Sequence, residues 1–161
     1  MYNLSDSGAF GTVYVFYKMS IIVSMNRLSE FTQLVEKIAK DTKVTLPTDF
    51  SYRYAPYQCW KCGRQIVIFK WGNSLIEGEI EKPLAPVPHT IQERHTNMSG
   101  EEYWANTCPH CNSVQGDFYI SNEPDSPFFG LNNEIINNKE SFDAGMEQIA
   151  EYYFNQIVSH K

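Results

Sequence analysis

The sequence predicts an α+β protein, a zinc ribbon of antiparallel strands flanked by N-terminal and C-terminal amphipathic helices. Three observations predict it. Two Cys-x-x-Cys pairs, Cys59/Cys62 and Cys108/Cys111, are separated by 45 residues. Strand-like runs follow each pair. On either side of this middle, apolar residues recur at helical spacing. The chain has 161 residues, 42% hydrophobic and 20% charged, which fits one globular domain and not a disordered chain. We expect a single domain over 1–161. Its ribbon core spans 52–120 with an inserted Pro-containing connector at 72–99, its N-terminal helix 26–41 and its C-terminal helix 139–159.

The first segment is apolar from Phe10 to Met25 but lacks the marks of a signal peptide. Asp6 precedes it with no Lys or Arg, Lys18 interrupts it, and no small-residue cleavage site follows. Thr12–Tyr17 and Ile21–Val23 read as strands, rich in β-branched and aromatic residues. Translation from Met19 or Met25 in place of Met1 is the alternative, because a clean amphipathic helix begins right after Met25. The missing export signal predicts a cytoplasmic protein. No apolar run reaches the roughly 18 residues of a membrane helix, so no membrane partner is expected.

The N-terminal helix carries Leu28, Phe31, Leu34, Val35, Ile38 and Ala39 on one face, with Asn26 as its expected cap. In the middle, Gln65–Trp71, Glu101–Asn106 and Val114–Ile120 read as strands. Pro83, Pro86 and Pro88 make the stretch between them incompatible with a helix. Pro124, Pro127 and an Asn-rich stretch, Asn132–Asn138, separate the middle from the last helix. That helix buries Phe142, Met146, Ile149, Ala150, Tyr153 and Ile157, with Ser141 as its expected cap. It also carries much of the acidity, since residues 119–161 hold seven carboxylates against two lysines.

The cysteine pairs carry the chemistry. In a reducing cytoplasm four cysteines point to a metal before disulfides. Zinc takes four ligands in a tetrahedron, and thiolates suit it. Two residues between cysteines let a tight turn aim both sulfurs at one ion. The residue after each pair is Gly63 or Asn112, the types that best tolerate a positive φ. We therefore expect one structural Zn2+ held by Cys59, Cys62, Cys108 and Cys111. The spacing exceeds the usual 15–20 or so residues, but the entropy of a longer loop grows only with the logarithm of its length. Redox chemistry at Cys108-Pro109-His110-Cys111 is the rival reading. It asks for a helix after the first thiol, whereas the following sequence reads as a strand. A catalytic zinc would keep an open position, and no deaminase-like His-x-Glu precedes Cys108. His110 sits inside a knuckle, either replacing a cysteine or lying exposed in the turn.

Three stretches together, Cys59-Trp60-Lys61-Cys62-Gly63, Tyr103-Trp104-Ala105-Asn106-Thr107-Cys108-Pro109-His110-Cys111 and Gln115-Gly116-Asp117-Phe118, resemble a group of small, uncharacterised bacterial and phage zinc-ribbon proteins. The resemblance runs from Tyr57 to Ile120. It implies the zinc and no particular activity. Asn112 departs from the Gly common at that point of a knuckle, and the two helices fall outside the resemblance.

Three functional readings follow. With a net charge of −6 and no nucleophile elbow, phosphate loop or paired carboxylates, the first is a protein-interaction or regulatory accessory module. Its partner would be another protein, and self-association is open. Tyr152 and Phe154, at the edge of the last helix's stripe, would make a sticky patch if exposed. The second is nucleic-acid binding through the first knuckle, with Trp60, Lys61, Arg64 and His110 as contacts and Arg53, Lys70 and Arg94 nearby. Most aromatic residues around the knuckles read as core, but Trp60 lies in a turn that faces solvent. The third is an enzyme whose site is assembled from loops.

Overall fold

The computed structural model describes residues 26–72, 82–95, 102–131 and 138–159. The strand-like runs Thr12–Tyr17 and Ile21–Val23 lie outside the described residues. So do residues 73–81 and 96–99 of the connector, Glu101 and the Asn-rich residues 132–137.

Helix α1 covers residues 26–42, so Asn26 is already helical and does not cap it. Phe31, Val35, Ile38 and Ala39 are buried, and Leu28 and Leu34 pack half-buried beside them. The helix stops in a Schellman turn. Lys43 takes a left-handed φ of 57°, the Val44 N–H returns to the Ala39 carbonyl at 2.8 Å, and Val44 is buried behind it.

Two small antiparallel sheets follow. Strands β1 (Tyr52–Gln58) and β2 (Gln65–Trp71) form a hairpin in register from Tyr52↔Trp71 to Gln58↔Gln65. The second sheet has the order β3 (Ile91–His95), β4 (Glu102–Thr107), β5 (Val114–Gln115). Both cysteine pairs fall in hairpin turns, the first between β1 and β2 and the second between β4 and β5.

The second sheet corrects two expectations. Strand β3 lies within the stretch 72–99 read as a connector. Only Ile91 of its five residues is both apolar and buried, so pairing with β4 makes it a strand, not hydrophobic patterning. Val114–Ile120 is not one strand. It pairs for two residues, turns at Gly116, and winds into a π-helical turn over Phe118–Asn122 that buries Ile120 and leaves Phe118 and Tyr119 exposed.

Helix α2 (Lys139–Ser159) closes over β1. Asn138 caps it, its Oδ1 accepting the Ser141 N–H at 2.8 Å, in the role expected of Ser141. Met146, Ile149 and Ala150 are buried, and the Tyr153 ring meets Phe31 of α1 edge-on at 5.8 Å. Phe142 packs against Tyr54 and Phe50 at 5.8 and 5.4 Å between centroids. The Ile157 side chain lies outside the described residues. Tyr152 and Phe154 are half-buried and form no sticky patch: the Tyr152 hydroxyl donates to the Asp125 carbonyl, and Phe154 packs on Tyr153. No helix among the described residues is long and apolar enough to cross a membrane.

Candidate metal centre

The two knuckles repeat one backbone pattern. In the first, the Cys59 N–H donates to Arg64 O at 2.9 Å and the Gly63 N–H donates to Cys59 O at 2.9 Å. In the second, Cys108 N–H donates to Ser113 O at 2.9 Å and Asn112 N–H donates to Cys108 O at 2.8 Å. Each turn needs a positive φ at its fourth residue after the first cysteine. Gly63 supplies 70° and Asn112 supplies 58°. Asn112 brings a side chain that Gly lacks, and Arg94 of β3 grips it, Nη2 to Oδ1 at 2.6 Å.

The hairpins bring the four sulfurs together, all within 4.8 Å of one another. Cys59 and Cys111 approach to 3.7 Å across the knuckles, as do Cys62 and Cys108. All four are free thiols. Cys59 and Cys108 are buried, and the other two lie nearer solvent. Such a cluster is compatible with a bound metal ion.

Donors surround the sulfurs. The Ser113 hydroxyl lies 3.3 Å from Cys59 Sγ and 3.2 Å from Cys111 Sγ. Gln115 Nε2 donates to Ser113 Oγ at 3.0 Å, which leaves the hydroxyl proton to point at sulfur. The same amide reaches Cys59 Sγ at 3.5 Å, and the His110 N–H donates to Cys108 Sγ at 3.4 Å. These donors reorder the thiols. Burial pushes Cys59 up, but hydrogen bonds from Ser113 and the Cys62 and Lys61 backbone outweigh it and bring the thiol down to about 5. Burial pushes Cys108 up to about 12, and the neighbouring Cys111 and Cys59 sulfurs add to that while backbone N–H groups oppose it. Hydrogen bonds from Ser113 lower the Cys111 thiol as well.

The remaining site residues separate. Trp60 is 69% exposed, and its Nε1 donates to Val114 O at 2.7 Å, tying the first knuckle to β5. Arg64 Nη1 meets His110 Nδ1 at 3.3 Å. Both Arg64 and His110 are exposed, as is Lys61. Trp60 and His110 line different clefts, the first with Tyr57 and Tyr119, the second with Lys43 and His89. Arg53, counted with the basic set, is 2% exposed under α2. It donates to Phe50 O and Ser141 Oγ at 2.9 Å each and lies over the Phe142 ring. Sequence reasoning missed Ser113 and Gln115. Their position within five residues of Cys111 was the available signal.

Comparison with protein-family models, curated proteins and solved structures gave no match to this chain.

Proposed function

We propose that the chain is a structural-zinc protein, in keeping with the zinc-ribbon proteins its motifs resemble, and that it acts as an interaction module for another protein. The observation that carries the zinc is the sulfur geometry. Four thiolates about 2.3 Å from one tetrahedral ion stand about 3.8 Å apart, and two cross-knuckle pairs stand at 3.7 Å. Four thiolates around Zn2+ leave an excess of negative charge. Ser113, Gln115 and the knuckle N–H groups are placed to offset it. Four cysteines complete the coordination shell, so the ion holds the two hairpins together and needs no open position for substrate.

What supports a protein partner is the separation of Trp60 from His110. Nucleic-acid binding through the first knuckle is the alternative. It calls for Trp60 and His110 on one surface, whereas they border different clefts. The test is affinity capture by the zinc-loaded chain from a lysate, run with and without nuclease. Capture of a protein that survives nuclease supports the module. Capture that nuclease abolishes, lost also in Trp60→Ala, Lys61→Ala, Arg64→Ala, transfers the function to nucleic acid.

A further inference from the structure

A groove of about 550 Å³ runs along the first knuckle, walled by Trp60, Tyr57 and Tyr119. Tyr57 and Tyr119 also line the next cleft, which continues toward Tyr152, Glu123 and Asp125. The two clefts therefore form one path, aromatic at the knuckle and acidic beyond it. Among the described residues no Lys or Arg lines either stretch. Among the described residues neither Glu123 nor Asp125 is ion-paired. Trp60 and Tyr119 are 69% and 60% exposed, large for aromatic rings.

We propose that this path binds an extended, proline-bearing segment of a partner protein, with a Lys or Arg of that segment set against Glu123 and Asp125. The inference rests on reading the chain as an interaction module and adds the chemistry of the partner. Flat rings with few aliphatic neighbours suit pyrrolidine rings, which stack on aromatic faces, better than the broad apolar face of a helix. A polyproline II segment is already extended, so it loses little entropy on docking. Its carbonyls have no internal partner and need donors. The Tyr57 and Tyr119 hydroxyls make no hydrogen bond among the described residues and are free to serve. The same carboxylates repel a phosphate backbone.

The experiment titrates the zinc-loaded full chain with a fluorescent peptide of eight prolines bearing a terminal Arg-Arg pair, read by anisotropy. Controls replace the arginines by glutamates or the prolines by alternating Ala-Ser. We expect binding by the first peptide and a loss of about tenfold or more in each control, the effect of removing a main anchor. Tyr119→Ala should lose about as much, and Glu123→Gln with Asp125→Asn should flatten the salt dependence. Tyr119 is exposed and its hydroxyl bonds nothing described, so this variant tests the groove without disturbing the Trp60–Val114 link. Equal binding of all three peptides, or no effect of Tyr119→Ala, overturns the proposal. So does a dT10 oligonucleotide binding in place of the peptide, or self-association lost on Tyr119→Ala, which would make a second copy the occupant. Random-peptide display on the same protein separates the two levels. Enriched peptides without proline that compete at Tyr119 keep the interaction module and discard the proline segment. No enriched peptide, together with nuclease-sensitive capture, discards both.

Discussion

The side-chain amide of Asn106 bonds both backbone groups of Phe69. Its Oδ1 accepts the Phe69 N–H at 2.7 Å and its Nδ2 donates to the Phe69 carbonyl at 2.9 Å. Asn106 is the central-strand residue of the second sheet, paired with Ile91 and Gln115, and Phe69 belongs to the first sheet. One side chain thus continues the ladder between two hairpins that the cysteine cluster and the Trp60–Val114 bond also join. Both residues are buried, at 1% exposure.

Asn106→Ala should therefore cost about 2–6 kcal/mol, because two buried backbone groups lose their partners at about 1–3 kcal/mol each. Asn106→Asp should cost as much or more, since a carboxylate faces the Phe69 carbonyl. Denaturant melts of the zinc-loaded proteins measure this. A loss under about 0.5 kcal/mol in both variants, the range of an ordinary surface substitution, would mean the amide does not join the sheets.

Ser113→Ala removes the hydroxyl set between Cys59 and Cys111 while leaving all four sulfurs. Metal affinity should fall about 10- to 100-fold, the usual effect of losing a partner of a ligand. Competition with a chromophoric chelator measures it. The Co2+ form should also shift its thiolate-to-metal absorption, which a merely packing hydroxyl would leave in place.

Gly145→Ala sets two rules against each other. Helix propensity alone favours Ala by about 1 kcal/mol. A Cβ at Gly145 would stand 2.8 Å from Arg53 Nε, and Arg53 is held by Phe50 and Ser141. Overpacking of this kind costs about 1–3 kcal/mol. The variant should melt lower than the parent, and a higher melting temperature would contradict the pinned position of Arg53.

Alkaline stability should depend on Tyr52. Burial, with Asp49 adding a smaller push, raises its hydroxyl from 10.0 to about 12, and the hydroxyl donates to the Leu84 carbonyl. A raised folded-state value means the folded protein holds this proton more tightly than the unfolded chain. The stabilisation is therefore whole below pH 10 and lost as pH rises toward 12. Tyr52→Phe should lose that slope and cost about 1 kcal/mol at neutral pH, one hydrogen bond's worth. Tyrosinate absorbance followed beside circular dichroism measures both.

These cases show which parts of the fold were legible in the sequence. The knuckles were, because Gly63 and Asn112 carry a backbone requirement that few residues meet. The helices were, because Phe31, Val35, Met146 and Ile149 repeat on their periods. Strand β3 was not, since Gln92-Glu93-Arg94-His95 has no apolar pattern and gains its form from β4. Arg53 falls among the basic residues near the first knuckle in sequence, which reads as a surface set. Helix α2 covers that position as well, so the guanidinium is buried among hydrogen bonds and the Phe142 ring. Asn106 stood in plain view beside Trp104 and Ala105. Its bond partner lies 37 residues away, and no local rule points there.

We propose that one zinc ion on Cys59, Cys62, Cys108 and Cys111 holds the two hairpins together. Native mass spectrometry of the chain purified without added metal, before and after chelation, tests it most directly. We expect one zinc per chain, four thiols shielded from alkylation, and loss of the cooperative melt when the metal is stripped, since structural zinc contributes about 10–16 kcal/mol in small zinc domains. A metal-free chain with freely alkylated thiols and an unchanged melt after chelation would contradict it.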